Sequence, residues 1–361
     1  MDFIKDKLPF GRGSGDSTGS IINDLKTTIE INPDLLGLSA QMFAQTTATG
    51  QKDLVSLFKS LASATRAPPS IPKNGPNNGL TCPITDILNE YTSTPAGNKL
   101  FTNESVHSSV EDLLKEWTVY LTSPESAQHI PDTNSSELQD VDFGSDTWNQ
   151  RNSYSSWDHF FTRQFPKGAR LIAEPDNDRV VTAPCEGKMD NFETDITSDT
   201  VLTIKGRKYT LAELLGDDGS EEPFVGGSIY QGSTPGYGYH WFHAPISGTI
   251  TKCVKIPGRI GFLGRQGSDG TGIEPTRALV TIQGGLGSKV DRLICVFSGL
   301  MPQNAVEIAV EQGQEVTKGQ ELGMFHFGGS TYALVVRKSV HIDLDQVGSG
   351  LVPVRSALVT V

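Results

Sequence analysis

The 361-residue chain is 36% hydrophobic and 20% charged, the proportions of a soluble globular protein with room for one large domain and an appended one. A net charge of −12 argues against a nucleic-acid partner and against broad adhesion to anionic membranes, and points to a small soluble substrate. No apolar run approaches the ~20 residues of a membrane helix, and Met1-Asp2-Phe3-Ile4-Lys5-Asp6-Lys7 lacks the apolar core of a secretory signal. The expected setting is cytoplasmic, with the sequons at Asn103 and Asn134 unused. Cys82, Cys185, Cys253 and Cys295 are scattered without a Cys-x-x-Cys pair, so neither a disulfide framework nor a thiolate metal site is indicated.

In chain order, residues 1–20, Gly/Ser-rich over 11–20, read as a flexible N-terminus. A helical N-terminal region follows over 21–145. Ile21, Leu25 and Ile29, then Leu35, Leu36 and Leu38, then Leu54, Leu57, Phe58 and Leu61 recur at three- and four-residue spacings. Asn32-Pro33-Asp34 is a helix start with proline in the first turn. Pro68, Pro69, Pro72 and Pro76 mark a linker, after which Ile84–Leu88 and Val110–Trp117 resume the helical pattern. A polar stretch, 123–146, closes the region.

From about residue 150 to 361 the character changes. Trp157-Asp158-His159-Phe160-Phe161 reads as a short amphipathic helix with a capping serine before it. Short β-rich runs separated by Gly/Pro turns then dominate, at 179–183, 200–204, 248–254, 278–282, 292–297 and 305–310. The expected fold class is α+β, with a mainly antiparallel catalytic domain behind a helical region. Segments 244–250 and 312–323 have the pattern of lipoyl/biotinyl hairpins, but no lysine stands at a carrier tip, so their expected role is to hold the strand that follows. An exposed sheet edge would allow a homodimer.

Four stretches carry chemistry. In Phe327-Gly328-Gly329-Ser330-Thr331, two glycines permit positive φ and strip the Cβ shielding from the carbonyl before a serine hydroxyl. Tyr239-His240-Trp241-Phe242-His243-Ala244-Pro245 offers two imidazoles three apart. On a regular strand these face opposite sides, so a shared metal would require a bend, and no metal site is assigned. Ala183-Pro184-Cys185-Glu186-Gly187 places an acid in a turn, by itself an ordinary solvated glutamate. Trp157 to Arg163 holds nothing catalytic by residue type.

Together, and in this order, the four stretches resemble the phosphatidylserine decarboxylase family, over roughly residues 155–361. Trp157-Asp158-x-Phe160-Phe161-x-Arg163 looks like the family's opening helix. Ala183-Pro184-Cys185-Glu186-Gly187 is similar to its Ser-Pro-x-Asp-Gly turn, with Glu186 where aspartate is usual. Tyr239-His240-x-Phe242-His243-x-Pro245 is similar to its His-Arg-Phe-His-Ser-Pro stretch. Phe327 to Thr331 resembles its Leu-Gly-Ser-Thr cleavage motif, with Gly328 in place of leucine. The helical N-terminal region is more similar to the soluble fungal branch that includes tryptophan-decarboxylase-like enzymes.

The resemblance implies a zymogen cut between Gly329 and Ser330, with Ser330 becoming a covalent pyruvoyl cofactor. It implies His243 as general base on Ser330, oriented by Glu186, and His240 as proton donor in turnover. The pyruvoyl ketone would take up a substrate amine as a Schiff base and act as the electron sink when CO2 leaves. The expected substrate is a soluble amino acid, with an aromatic one favoured by the tryptophan-decarboxylase branch. Phosphatidylserine remains an alternative, as does a non-cleaving homologue with a different small-molecule role. A serine hydrolase fits less well, because Gly328-Gly329-Ser330-Thr331-Tyr332 lacks the second glycine of a nucleophile elbow.

Overall fold

A computed structural model of the chain describes residues 17–46, 52–70, 80–132, 135, 138, 141–143, 153–258, 274–300, 305–340 and 350–360. Asn134, the 71–79 part of the expected linker and most of the expected flexible N-terminus lie outside the described residues. Of the 1–20 segment, the last three residues belong to a helix, because Thr18 packs into the first turn. The described residues form a helical unit and a β-rich unit.

The helical unit contains α1 (Thr18–Ile31), α2 (Pro33–Gln45), α3 (Leu54–Ala64), α4 (Pro83–Thr92), α5 (Pro95–Thr102) and α6 (Glu104–Thr122). The predicted start at Asn32 is present: its side chain accepts from the backbone N–H of Asp34 (3.0 Å) and Leu35 (3.3 Å). The periodic residues Leu25, Ile29, Leu35, Leu57 and Leu61 are buried, as their spacing requires. Leu36 shares none of that burial and stands 43% exposed. Among the described residues, no helix is long and apolar enough to cross a membrane.

In the β-rich unit the strands are preceded by the five-residue helix α7 (Trp157–Phe161), capped by Ser156 Oγ accepting from the His159 N–H at 3.0 Å. Its strands are β1 (Val180–Thr182), β2 (Gly187–Thr194), β3 (Val201–Ile204), β4 (Arg207–Thr210), β5 (Ser228–Thr234), β6 (Trp241–His243), β7 (Gly248–Ile256) and β8 (Thr276–Gly284). They continue as β9 (Arg292–Gly299), β10 (Val306–Ile308), β11 (Glu315–Val316), β12 (Glu321–Phe325), β13 (Ser330–Val336), β14 (Leu351–Val352) and β15 (Ala357–Thr360), with α8 (Leu211–Leu215) between β4 and β5. All their pairings are antiparallel.

The main sheet has the order β11-β7-β8-β9-β13-β5-β2-β14, so β13 lies in its interior and both edge strands are only two residues long. The apolar run Tyr332-Ala333-Leu334-Val335-Val336 fits this position, since every residue of β13 is buried. Ala333 and Val335 face a core made with the β3–β4 hairpin, α8, Ile229, Ile294 and Val296. On the other face Phe242 stacks on Phe297 with ring centroids 3.8 Å apart, and Phe325 meets Phe242 edge-on at 5.2 Å. The segment read as a hairpin over 312–323 is divided between two sheets: β11 pairs with β7, whereas β12 lies between β10 and β6.

Candidate active site

Between β12 and β13 the chain crosses from the three-stranded sheet to the main one through His326-Phe327-Gly328-Gly329. Gly328 (φ 143°) and Gly329 (φ 82°) both lie at positive φ, where a Cβ is strained. The Gly328 carbonyl accepts from the Leu300 N–H at 2.7 Å, which ties the crossing to the end of β9. Ser330 therefore begins a central strand with its side chain held in place and only 2% exposed.

His240 meets it. Its Nδ1 lies 2.9 Å from Ser330 Oγ, and its Nε2 lies 3.2 Å from the Gly236 carbonyl. A carbonyl can only accept, so Nε2 carries the ring proton and Nδ1 is left bare to accept from the serine hydroxyl. Phe161 of α7 stacks on the imidazole at 3.7 Å. Burial, with the cations of Arg163, Lys205 and His326 behind it, pushes the His240 pKa down to about 3, so the ring is neutral across the physiological range.

His243 is equally buried but otherwise employed. Its Nδ1 donates to the Gly319 carbonyl at 3.0 Å, which leaves Nε2 to accept from the Tyr239 hydroxyl, also at 3.0 Å. Burial, and then the Arg355 charge, push its pKa down to about 3. Glu186, 2% exposed, gives both carboxylate oxygens to Arg170, at 2.7 Å from Nε and 3.1 Å from Nη2. Arg170 also donates to Asp142 at 2.8 Å and lies 4.3 Å over the ring of Phe165, which stacks on Tyr239.

Of the four site residues expected from sequence, two are thus brought together directly, Ser330 and His240. His243 and Glu186 lie in the same region, yet the Ser330 hydroxyl goes to His240 and the Glu186 carboxylate to a guanidinium. The strand alternation that separates positions 240 and 243 explains why only one imidazole faces the serine.

The sequence reading also missed the support around these residues. Asp158 of α7 accepts from His326 Nδ1 (3.0 and 3.1 Å), and Glu307 accepts from its Nε2 (3.1 Å). Burial opposes charge on His326, but the two carboxylates more than offset it and lift its pKa to about 10. Arg163, also buried, donates to the Tyr237 and Phe160 carbonyls. Trp157 lies edge-on to Phe327 at 5.9 Å. The stretch Trp157 to Arg163 therefore holds His326 and Phe327, which lead into the Gly-Gly-Ser crossing, and the imidazole that faces Ser330. Among the described residues, two buried hydroxyls next to the crossing, Thr234 Oγ1 and Ser298 Oγ, have no hydrogen-bond partner. Thr234 pairs with Ser330 in the β5–β13 register, and Ser298 pairs with Thr331.

Comparison with known proteins bears on this arrangement. Two family models described as phosphatidylserine decarboxylase match, one over residues 157–352 and one over 19–139. The chain is 30% identical to the decarboxylase iboD of Amanita muscaria, over 70% of this chain and 83% of that protein. It is 26% identical to an L-tryptophan decarboxylase of Psilocybe cubensis, over 90% of this chain and 81% of that one. With phosphatidylserine decarboxylase proenzyme 2 of Oryza sativa subsp. japonica it shares 30% identity, over 66% of this chain and 39% of the rice protein. The first family match spans the serine crossing, both histidines, Glu186 and α7. The chain belongs to the phosphatidylserine decarboxylase family, whose members are pyruvoyl-dependent carboxy-lyases.

Proposed function

We propose that the protein is a self-processing decarboxylase that cuts itself between Gly329 and Ser330 and then acts on a free amino acid, an aromatic one in particular. One observation carries the self-processing part: the Ser330 hydroxyl faces the bare nitrogen of a neutral, buried imidazole, directly after a glycine held at φ 82°. His240 Nδ1 takes the hydroxyl proton as Oγ bonds to the Gly329 carbonyl carbon. The Gly329–Ser330 C–N bond then breaks, and the departing amine takes that proton back, leaving an ester. His240 Nδ1, bare again, takes the Ser330 Cα proton as the Cβ–Oγ bond breaks, giving dehydroalanine and a Gly329 carboxylate. Tautomerisation and addition of water release ammonia and leave a pyruvoyl group at position 330.

The residues fit that group, since Ser330 is its own precursor and sits in a buried site with a neutral base against it. When formed, the ketone supplies an electron sink for loss of CO2. His240 is the imidazole in contact with position 330, so its Nδ1 is the side-chain nitrogen placed to take a proton from that position and return it. Phe161, stacked on its ring, fixes its plane and keeps water from that face. His243, held between Gly319 and Tyr239, positions β6, the strand that His240 immediately precedes.

The amino-acid substrate is supported by the likeness to L-tryptophan decarboxylases across most of the chain and by the net charge of −12, which disfavours an anionic membrane surface. Intact mass of the purified protein tests the first part. We expect a large chain ending at Gly329 and a small chain beginning at residue 330 that is blocked to Edman degradation, while Ser330→Ala stays whole. A single uncut wild-type chain would overturn the self-processing reading. CO2 release from tryptophan and other free amino acids, set against phosphatidylserine vesicles, decides the substrate, and activity on vesicles alone would favour the phospholipid.

A further inference from the structure

Lys205 touches the scissile peptide at Gly329 and has no part in the mechanism above. It occupies the two-residue turn between β3 and β4, where Ile204 pairs with Arg207. Lys205 (φ 53°) and Gly206 (φ 84°) both adopt positive φ, as a type I′ hairpin turn demands. Asparagine, aspartate or glycine normally fills the first of these positions. A lysine there carries backbone strain, and such strain persists where the surroundings impose it.

The hairpin is fixed to the face of β13. Leu202 and Ile204 pack in one core with Ala333 and Val335, and Gln231 of β5 donates to the Thr203 carbonyl at 3.0 Å. Its tip therefore delivers the lysine to the start of β13. A methyl group built on Gly329 would collide with Lys205 Nζ and stand 3.1 Å from its Cε, so the ammonium is in contact with the residue that loses its peptide bond.

Among the described residues, Lys205 makes no hydrogen bond and no ion pair within contact distance. Asp190, committed to the Ser233 hydroxyl at 2.9 Å, only biases it from further away. Burial pushes the Lys205 pKa down to about 8, with Asp190 working against that shift. A partly buried ammonium without a counter-ion is costly. The chemistry proposed above creates an anion at the residue it touches. When the ester splits, the electron pair of the Cβ–Oγ bond leaves on the Gly329 carboxylate.

We propose that Lys205 is the counter-ion for the Gly329 carboxylate, stabilising it as a leaving group in the elimination and pairing with it in the cleaved protein. This rests on the self-processing reading and assigns a residue to its second step. The attack of Ser330 through His240 does not require the ammonium, whereas departure of the carboxylate does. Loss of the charge should therefore stall the chain at the ester.

The test compares full-length wild type with Lys205→Met and Lys205→Arg, followed by intact mass with and without hydroxylamine. In Lys205→Met we expect conversion to the pyruvoyl form to slow roughly ten- to a hundredfold, the range for losing a charge-assisted contact. Hydroxylamine should split the accumulated ester into a large chain ending in a Gly329 hydroxamate and a small chain beginning with an unblocked Ser330. Lys205→Arg should retain most of the conversion, and Ser330→Ala should resist hydroxylamine. Wild-type kinetics in Lys205→Met, with no ester, would overturn the role of Lys205 while leaving self-cleavage intact. A wild-type chain that never cuts and never yields to hydroxylamine would overturn both.

A second measurement needs no change at position 205. Reductive methylation followed by peptide mapping should label Lys205 faster in uncut Ser330→Ala than in cleaved wild type, where the carboxylate holds the amine. Equal labelling in the two proteins would overturn the pairing.

Discussion

Two neighbouring regions of the β-rich unit differ in how completely their polar groups are used. Around Glu186, Arg170, Tyr239 and His243, both carboxylate oxygens meet guanidinium nitrogens and both imidazole nitrogens have partners. Around Ser330 the histidines are also partnered, but other polar groups are not. The crossing runs through two glycines at positive φ, the Thr234 and Ser298 hydroxyls are buried without partners among the described residues, and Lys205 has no hydrogen-bonded counter-ion there. Unsatisfied buried groups cost stability, and they persist where a reaction uses them. On the proposed function, the saturated region serves as a scaffold and the less satisfied one is where bonds change.

The largest expected effect breaks the comparison at its two histidines. His240→Gln should slow self-cleavage by about a hundredfold or more, the range for a lost general base. His243→Gln keeps an acceptor and a donor between Gly319 and Tyr239, and its cleavage should stay within about tenfold of wild type. Time courses of the two-chain pattern on denaturing gels read both variants. Should His243→Gln be the uncut protein and His240→Gln the cut one, the division suggested by the sequence motif would stand and the contact at 2.9 Å would not be the productive one.

Next in size is the scaffold itself. Glu186→Gln leaves the Arg170 guanidinium, with its side chain 11% exposed, facing a neutral amide where it had a bidentate carboxylate. Breaking a buried pair from one side costs up to about 3–5 kcal/mol, and less here because Asp142 still pairs with Arg170, so the denaturant midpoint should fall while the folded fraction still cuts. Unchanged stability together with lost cleavage would move Glu186 out of the scaffold and into proton transfer. Glu186→Asp sharpens the point, since a carboxylate one methylene shorter reaches both Arg170 nitrogens less well, and it should lose part of the same stability.

Much of this arrangement is legible in the sequence, and the limits are physical. Periodic leucines reveal the helices, and the unbroken apolar run after Thr331 reveals a strand covered on both faces. The family resemblance of four motifs also gathers α7, Glu186, the histidines and Ser330 into one site. What it does not give is which imidazole faces the serine. Spacing separates positions 240 and 243 but leaves the choice to the packing of β6 against its neighbours. Glu186 reads as a solvated turn acid because its partner stands 16 residues earlier, in a stretch without regular structure. His326 and Asp158 are 168 residues apart, and nothing local to either predicts the contact. Lys205-Gly206 looks like any surface hairpin turn until its tip is seen against Gly329.

The smallest expected effect concerns pH and separates the two regions by the sign of their titrations. The folded pKa of His326, about 10, lies above the ordinary 6.5. Its contribution to stability is therefore complete below pH 6.5 and is lost as pH rises toward 10. For His240 and His243, with folded values of about 3, the unfolded chain binds protons more readily between pH 3 and 6.5. Their burial costs nothing extra above pH 6.5 and erodes stability as pH falls. Lys205 works against His326 above about pH 8, because its folded pKa lies below 10.5. The window from 6.5 to 8 thus isolates His326, where one proton gives a slope of at most ~1.4 kcal/mol per pH unit. In uncut Ser330→Ala the melting temperature should fall gently across this window, and adding His326→Gln should flatten the fall even if it lowers every value. The same slope in both proteins would show that the clamp of Asp158 and Glu307 on His326 does not hold a proton through neutrality, and would place the crossing's rigidity in its glycines and aromatic packing instead.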